Sequence, residues 1–590
     1  METFDVVVVG AGWYGLAAAK TYLQLHPECD LIVLDSSSSV GGVWAAERLY
    51  PGLKSNNLLG TYEFSGFPMD PDTFGVRPGE HIPGRVMHLY LTRFAQRFGV
   101  YERIRFGTKV SSAVREENGG WVLTVTPSND EAEFQMLARK LIVATGLTSE
   151  PHLPSFPGAN VYRGLLFHSR DFKLHASTLS DSDNRPSSVT VIGGSKSAWD
   201  VAYAYATADP PIPVDLVIRA SGRGPTWMSP AYVTPFKLWL EKLVHTRLLT
   251  LFSPCPWGDE DGYVRTRRFL HGTWLGRKIV DAFWAVLSHD VLSLVGYDRH
   301  PETAKLKPWT SAFWTGNGLG VLNFERDFLQ LVRGGAVRVH VADVDRLSER
   351  AVRLANGEAL EADVVCCATG WKAHPPIRFS GPGGSSAALG LPFSCAPDAR
   401  IARHLTKLTT DADQEILARF PRLRHQPHFE YPGANRTPAL EPPDGLEISF
   451  QPRLYRFLVP PSSLREGVRR DIAFPGMVYT ISTALTAQAQ ALWIAAYFHG
   501  RLVPSRLPAD ETEAEKRALV WNRFGRWRYV AGYGGRVPDM VFDAVSYVDA
   551  LLVDLGIGRR SEGLLGRMEP GCMKGLVGSW GFKVSREESD

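Results

Sequence analysis

A length of 590 residues sets a prior of about four domains or fewer large ones, ample for a sizeable core. Apolar residues at 44% and charged residues at 22% exclude a disordered, collagenous or disulfide-scaffold chain. The 65 basic and 62 acidic residues leave +3, too little for the cationic face that phosphate-backbone binding needs, so nucleic acid is not an expected partner.

The chain opens on Phe4-Asp5-Val6-Val7-Val8-Val9, a β-branched apolar run that reads as a parallel strand covered on both faces. Gly10-Ala11-Gly12-Trp13-Tyr14-Gly15 follows, then the helix-forming Leu16 to Leu23, then a second buried strand, Leu31-Ile32-Val33-Leu34, ending at Asp35. This is a complete βαβ unit with a dinucleotide fingerprint. Gly10 permits the tight turn, Gly12 lets backbone approach a pyrophosphate, and Gly15 lets helix pack on strand. The helix N-terminus offers N–H groups and positive dipole to the phosphates, and Asp35 is placed to accept from ribose hydroxyls. Gly41-Gly42-Val43-Trp44 is a turn followed by an aromatic, which reads as a cofactor contact or as a hairpin with a core tryptophan.

A second strand, Val189-Thr190-Val191-Ile192, runs into Gly193-Gly194-Ser195-Lys196-Ser197 and a helix-forming stretch, so a second nucleotide fold starts here. Its next strand, Val214 to Ile218, ends in Arg219 instead of an acid, with Arg223 in the following turn. A cation at that place suits a 2′-phosphate and hence NADPH. Ser195 departs from the pattern by putting a Cβ where the second glycine lets backbone touch pyrophosphate, while Lys196 adds positive charge.

Between the two units, Tyr162-Arg163-Gly164 and Phe167-His168-Ser169-Arg170-Asp171-Phe172 resemble the FxGxxxHSxxY/F signature of flavin-containing monooxygenases, with Tyr162 in place of the first Phe. Ala144-Thr145-Gly146 and Ala368-Thr369-Gly370 are similar to that family's two ATG elements. Ser55-Asn56 followed by Phe67-Pro68 is similar to its SN…FP stretch, and Gln488 to Trp493 to its helix near the flavin.

The resemblance implies an α/β fold of two Rossmann-type domains, the NADPH domain inserted into the FAD domain. It implies FAD and NADPH as cofactors and a C4a-(hydro)peroxyflavin that oxygenates a small, hydrophobic metabolite with molecular oxygen: N- or S-oxygenation, hydroxylation or epoxidation, in the style of fungal secondary metabolism. Gly10, Gly12, Trp13, Tyr14, Gly15, Asp35, Val43 and Trp44 are the expected FAD contacts. Gly193, Gly194, Ser195, Lys196, Ser197, Arg219, Arg223 and His168 are assigned to NADPH. Asn56 is the expected catalytic residue, an amide that donates to the oxygenating species, although Asn56-Asn57 also reads as a turn. Gln490 reads as a flavin contact or as a buried polar helix contact, and His168 as a fixer of the interdomain loop or an NADP+ contact. Two readings compete: a Baeyer–Villiger monooxygenase, and a flavin oxidase or dehydrogenase that has lost NADPH use.

The expected organisation is an FAD-binding domain in two parts, 1–175 and 346–507, an NADPH-binding domain over 187–345 with an aromatic-rich insertion at 226–333, and a C-terminal extension over 508–590. The insertion reads as a substrate lid or as padding, and 397–445 as a surface excursion. Six scattered cysteines lack metal-ligand spacing, so no metal is expected; Cys366-Cys367 reads as part of a buried strand. The cysteine sparsity and the lack of a basic leader before Val6 point to the cytoplasm. Charges at Asp281, His289 and Asp290 break the longest apolar stretch, so no transmembrane segment is expected. Homo-oligomerisation is left open.

Overall fold

Val6 to Val9, fully apolar, occupy the middle of an eight-stranded sheet, because only a strand with neighbours on both edges and cover on both faces buries such a run. We label this strand β1 (Glu2–Val9), the helix after it α1 (Trp13–Leu25) and the next strand β2 (Leu31–Leu34). In the computed structural model, which describes the chain apart from residues 129–131, 181–184, 235–237, 317, 394–398, 428–451, 466, 559–567, 569 and 577–590, β1 pairs in parallel with β2 and with Phe134–Val143. An antiparallel meander, Thr108–Arg115, Trp121–Pro127 and Phe134–Val143, extends the sheet on one side.

A second sheet of five parallel strands has the order Val337–Val341, Val214–Ile218, Val189–Ile192, Val364–Cys367, Leu165–His168. Cys366 and Cys367 lie fully buried in its central region, as expected for that strand. Two of its strands fall outside the expected 187–345. Leu165–His168 precedes that range and Val364–Cys367 follows it, so the boundaries at 175 and 345 cut through chain that feeds the second sheet. Leu165–His168 pairs in parallel with Val364–Cys367 at the edge of that sheet.

The two sheets repeat one device. Gly10 (φ +111°) and Gly193 (φ +153°) each end a strand, and a Cβ on either would stand 2.6 Å from the Ala144 carbonyl oxygen or 2.5 Å from that of Ala368. Both contacts are closer than van der Waals packing allows, so each ATG element presses on a glycine turn that no side chain fits.

Helix Thr483–Phe498 is apolar on nearly every side and is therefore buried on nearly every side, packed between α1 and helix Ala544–Asp554. The aromatic insertion joins this body from the other side. Trp257 packs at a tilt against Trp521 and edge-on against Phe524, with centroids 5.4 and 5.5 Å away, and Trp284 meets Phe542 edge-on at 4.9 Å. Insertion and C-terminal extension thus form one core, pinned by the fully buried Arg247–Asp549 pair. The opposite face of helix Trp274–Val295 leaves Trp274, Leu275, Ile279 and Val286 exposed. Of the expected excursion at 397–445, helix Ala399–Arg419 and the turn Pro421–His425 are seen, while 397–398 and 428–445 lie outside the described residues, as does Phe236 of the insertion. Among the described residues no helix is long and apolar enough to cross a membrane, and no cluster of potential metal ligands occurs.

Candidate active site

A cavity of about 1290 Å³ opens at the carboxyl ends of β1 and β2, where a doubly wound sheet leaves its crevice. Its walls are the glycine turn at Gly10, Gly12 and Tyr14, the end of β2 at Asp35, the ATG element at Thr145, and the run from Gly476 to Thr483. This volume exceeds the roughly 300–1000 Å³ of ordinary small-molecule pockets, as a site for a long dinucleotide would.

The walls fit a dinucleotide. Gly12 caps α1 with φ −86°, a value open to any residue, and a Cβ there would meet only the Gly42 Cα at 3.7 Å. Nothing in the protein itself therefore demands glycine at 12, whereas a phosphate laid across the turn would. No side chain caps the first turn of α1, so its N–H groups remain for an anion. Asp35 accepts N–H bonds from Ala11 at 2.6 Å and Ser37 at 2.8 Å, which fixes its carboxylate with lone pairs still available for ribose hydroxyls. Burial pushes its pKa up, against the pull of those two N–H groups. Thr145 Oγ1, buried on the wall, has no hydrogen-bond partner among the described residues, as a group meant for a bound ligand would.

The expected FAD contacts separate into two sets. Gly10, Gly12, Trp13, Tyr14, Asp35 and Val43 line the cavity. Gly15 stands behind it, where a Cβ would meet the Gly10 carbonyl oxygen at 1.8 Å, and Trp44 is buried in the core. Trp13 lies on Tyr62 and Phe64, with centroids 4.8 and 4.7 Å apart, forming an aromatic floor. Gln490 does not reach the cavity. Fully buried, its Oε1 accepts from the Gly476 N–H at 2.9 Å and its Nε2 donates to the Tyr547 hydroxyl at 2.9 Å. This is the buried polar contact of the two readings, and it supports Gly476, which does line the cavity.

Asn56 sits half-buried on the strand Lys54–Leu58 and is not among the cavity-lining residues. His168 ends the strand Leu165–His168. Its Nδ1 accepts from the Arg170 N–H at 3.1 Å, which places the ring proton on Nε2, 3.0 Å from the Gly370 carbonyl oxygen it donates to. Burial lowers its pKa, so the imidazole works as a neutral strut between the signature segment and the second ATG element.

In the second fold, Ser195 caps helix Lys196–Ala206 with φ −89° and ψ 171°, close to the −86° and −170° of Gly12, so the two turns share one backbone shape despite the serine. Lys196 is held by Asp200 and lies over the Phe324 ring at 4.4 Å, Ser197 is exposed, Arg219 is exposed at the strand end, and Arg223 is half-buried in the following turn. None of the residues Gly193 to Ser197, Arg219 or Arg223 lines the large cavity.

Two cavity groups escaped the sequence reading. Arg48 donates to the Thr148 carbonyl oxygen at 3.3 Å, lies over Trp371 at 5.2 Å, and has its pKa lowered to about 10 by burial and by Arg170, which also lines the cavity. Its only signal in the sequence is its place four residues after Trp44.

Comparison with known proteins is consistent with this geometry. A family model described as flavin-binding monooxygenase-like matches residues 4–228. FAD-dependent monooxygenase resA of Aspergillus sclerotiorum is 35% identical over 98% of this chain and 98% of its own, and an FAD-dependent monooxygenase of Pyrenophora dematioidea is 36% identical over 95% and 99%. Among solved structures, cyclohexanone monooxygenase from Rhodococcus sp. Phi1 bound to NADP+ shares the fold with a TM-score of 0.57 at 17% identity, covering 94% of this chain and 97% of that one.

Proposed function

This chain belongs to the flavin-binding monooxygenase-like family and is an enzyme of the FAD-dependent monooxygenase class; from that premise we propose that it takes electrons from NADPH and inserts one atom of molecular oxygen into a small, hydrophobic metabolite. The observation that carries this reading is the duplication: two sheets, each with a central set of parallel strands and a glycine turn pressed by its own ATG element, support one seat for FAD and one for NADPH. Bound FAD would supply the electron storage and oxygen activation that no side chain provides.

The chain's own residues hold, orient and exclude. The glycine turn and the uncapped first turn of α1 seat the FAD pyrophosphate, and Asp35 takes ribose hydroxyls. The Trp13–Tyr62–Phe64 floor excludes water from one side of the cavity. The strand that carries Asn56 borders the second fold through the Asn323 amide, which donates to the Lys54 and Ser55 carbonyls. His168 fixes the interdomain crossing without moving a proton.

Arg219 is the expected reader of the 2′-phosphate. In Arg219→Ala, kcat/KM for NADPH falls by about 2 kcal/mol, roughly 30-fold, while that for NADH stays near wild type. Steady-state NADPH and NADH oxidation by the FAD-loaded enzyme measures this, and equal losses with both dinucleotides would remove Arg219 from that role.

A further inference from the structure

Behind the cavity wall lies a buried carboxylate. Glu241, on the short helix Leu240–Val244 at the start of the insertion, is 9% exposed. It accepts from the Asn57 amide, from the Leu58 N–H at 3.0 Å and from the Thr61 hydroxyl. One turn on, His245 uses Nδ1 on the Glu241 carbonyl at 2.7 Å and Nε2 on the Ser482 hydroxyl at 2.8 Å, and the Asn57 amide also donates to the Ile481 carbonyl at 2.9 Å.

These bonds grip two cavity borders. Thr61 precedes Tyr62, and Ser482 precedes Thr483; Tyr62 and Thr483 both line the cavity. Successive residues on a strand face opposite sides, so anchoring Asn57 and the Leu58 N–H fixes which way Asn56 points. Burying a carboxylate is costly unless donors surround it, and three donors converge here. Burial still holds its pKa above the ordinary carboxylate range, against the pull of His245 and the donors.

We propose that Glu241 is a positioning residue of the oxygenation site, contributed by the insertion, which holds Tyr62 and, with His245, Thr483 in place on the cofactor cavity wall. The insertion is thereby part of the active-site architecture. This inference rests on the FAD reading above.

The test compares wild type, Glu241→Gln, and the near-isosteric Thr61→Val with its conservative partner Thr61→Ser. Apoprotein is titrated with FAD by flavin fluorescence, the visible circular dichroism of the bound flavin is recorded, and NADPH oxidation in air is followed. In Glu241→Gln an amide NH2 faces a donor, which weakens FAD binding by about tenfold, the equivalent of one charge-assisted hydrogen bond. The flavin dichroism changes and kcat falls, with the KM for NADPH unmoved. Thr61→Val shifts the same readouts in the same direction and Thr61→Ser restores them; this pair decides the matter if Glu241→Gln does not fold. Wild-type affinity and dichroism in both Glu241→Gln and Thr61→Val would overturn the inference. Wild-type protein that takes up no FAD would instead overturn the FAD reading, and this inference with it.

Discussion

Gly12→Val yields a folded protein that does not retain FAD. The glycine turn separates fold from function unusually well at this position, because the three glycines of the fingerprint answer to different constraints. A Cβ at Gly10 or Gly15 collides with main-chain oxygens at 2.6 and 1.8 Å, so substitution there damages the sheet and helix themselves. At Gly12 the backbone is ordinary and the nearest atom is 3.7 Å away, so a side chain projects without clash in the unliganded protein. Valine there fills the approach to the first N–H groups of α1. Losing two charge-assisted bonds to a pyrophosphate costs about 4 kcal/mol, on the order of a thousandfold in affinity. The check is flavin content after purification together with the thermal midpoint of the apoprotein. Yellow protein from Gly12→Val would displace the pyrophosphate from this turn, and an apoprotein midpoint well below wild type would show that the fold also needs glycine here.

The second large effect is on stability and lies far from the turn. Asp554, fully buried at the end of helix Ala544–Asp554, accepts a forked pair of bonds from Arg456 Nε and Nη2, each at 2.9 Å, and a third from Trp493 Nε1 at 3.0 Å. Arg456 is also stacked over Trp521 at 4.5 Å, in a left-handed backbone conformation with φ 54°. The ion pair raises its pKa further above the ordinary arginine value, although burial opposes this. Asp554→Ala strands that guanidinium in the core and leaves the Trp493 indole N–H unpaired. The expected loss is about 3 to 5 kcal/mol, read as a lowered denaturant midpoint. A loss below about 1 kcal/mol, the level of an exposed pair, would mean that the C-terminal extension is not fastened to helix Thr483–Phe498 through Asp554.

The parts of this architecture legible in sequence were those encoded locally. The run Val6 to Val9, the glycine turn and the strand ending at Asp35 lie within thirty-five residues, and each declares its role through periodicity or a residue type that admits one explanation. The second unit was legible for the same reason at Val189 to Arg219. Leu165–His168 was not seen as a strand of the second sheet because four residues carry little pattern and its partner, Val364–Cys367, lies some two hundred residues on. Gln490 shows the limit for side chains: its two partners, Gly476 and Tyr547, come from separate segments, so nothing local distinguishes an occupied amide from an available one. Glu241 stands in Leu240-Glu241-Lys242-Leu243-Val244, where an acid on an amphipathic helix reads as solvent-facing. Only the fold brings Asn57, Leu58 and Thr61 to it.

The central claim is that NADPH, held by the second fold, reduces FAD held by the first. The most direct measurement is anaerobic stopped-flow mixing of FAD-loaded protein with NADPH in the absence of substrate, following the visible flavin band. The expected result is bleaching of the band by NADPH, faster than by NADH at equal concentration. Flavin that stays oxidised with both dinucleotides, in a protein that binds FAD, would contradict it and leave the substrate itself as the electron donor, the chemistry of an oxidase or dehydrogenase.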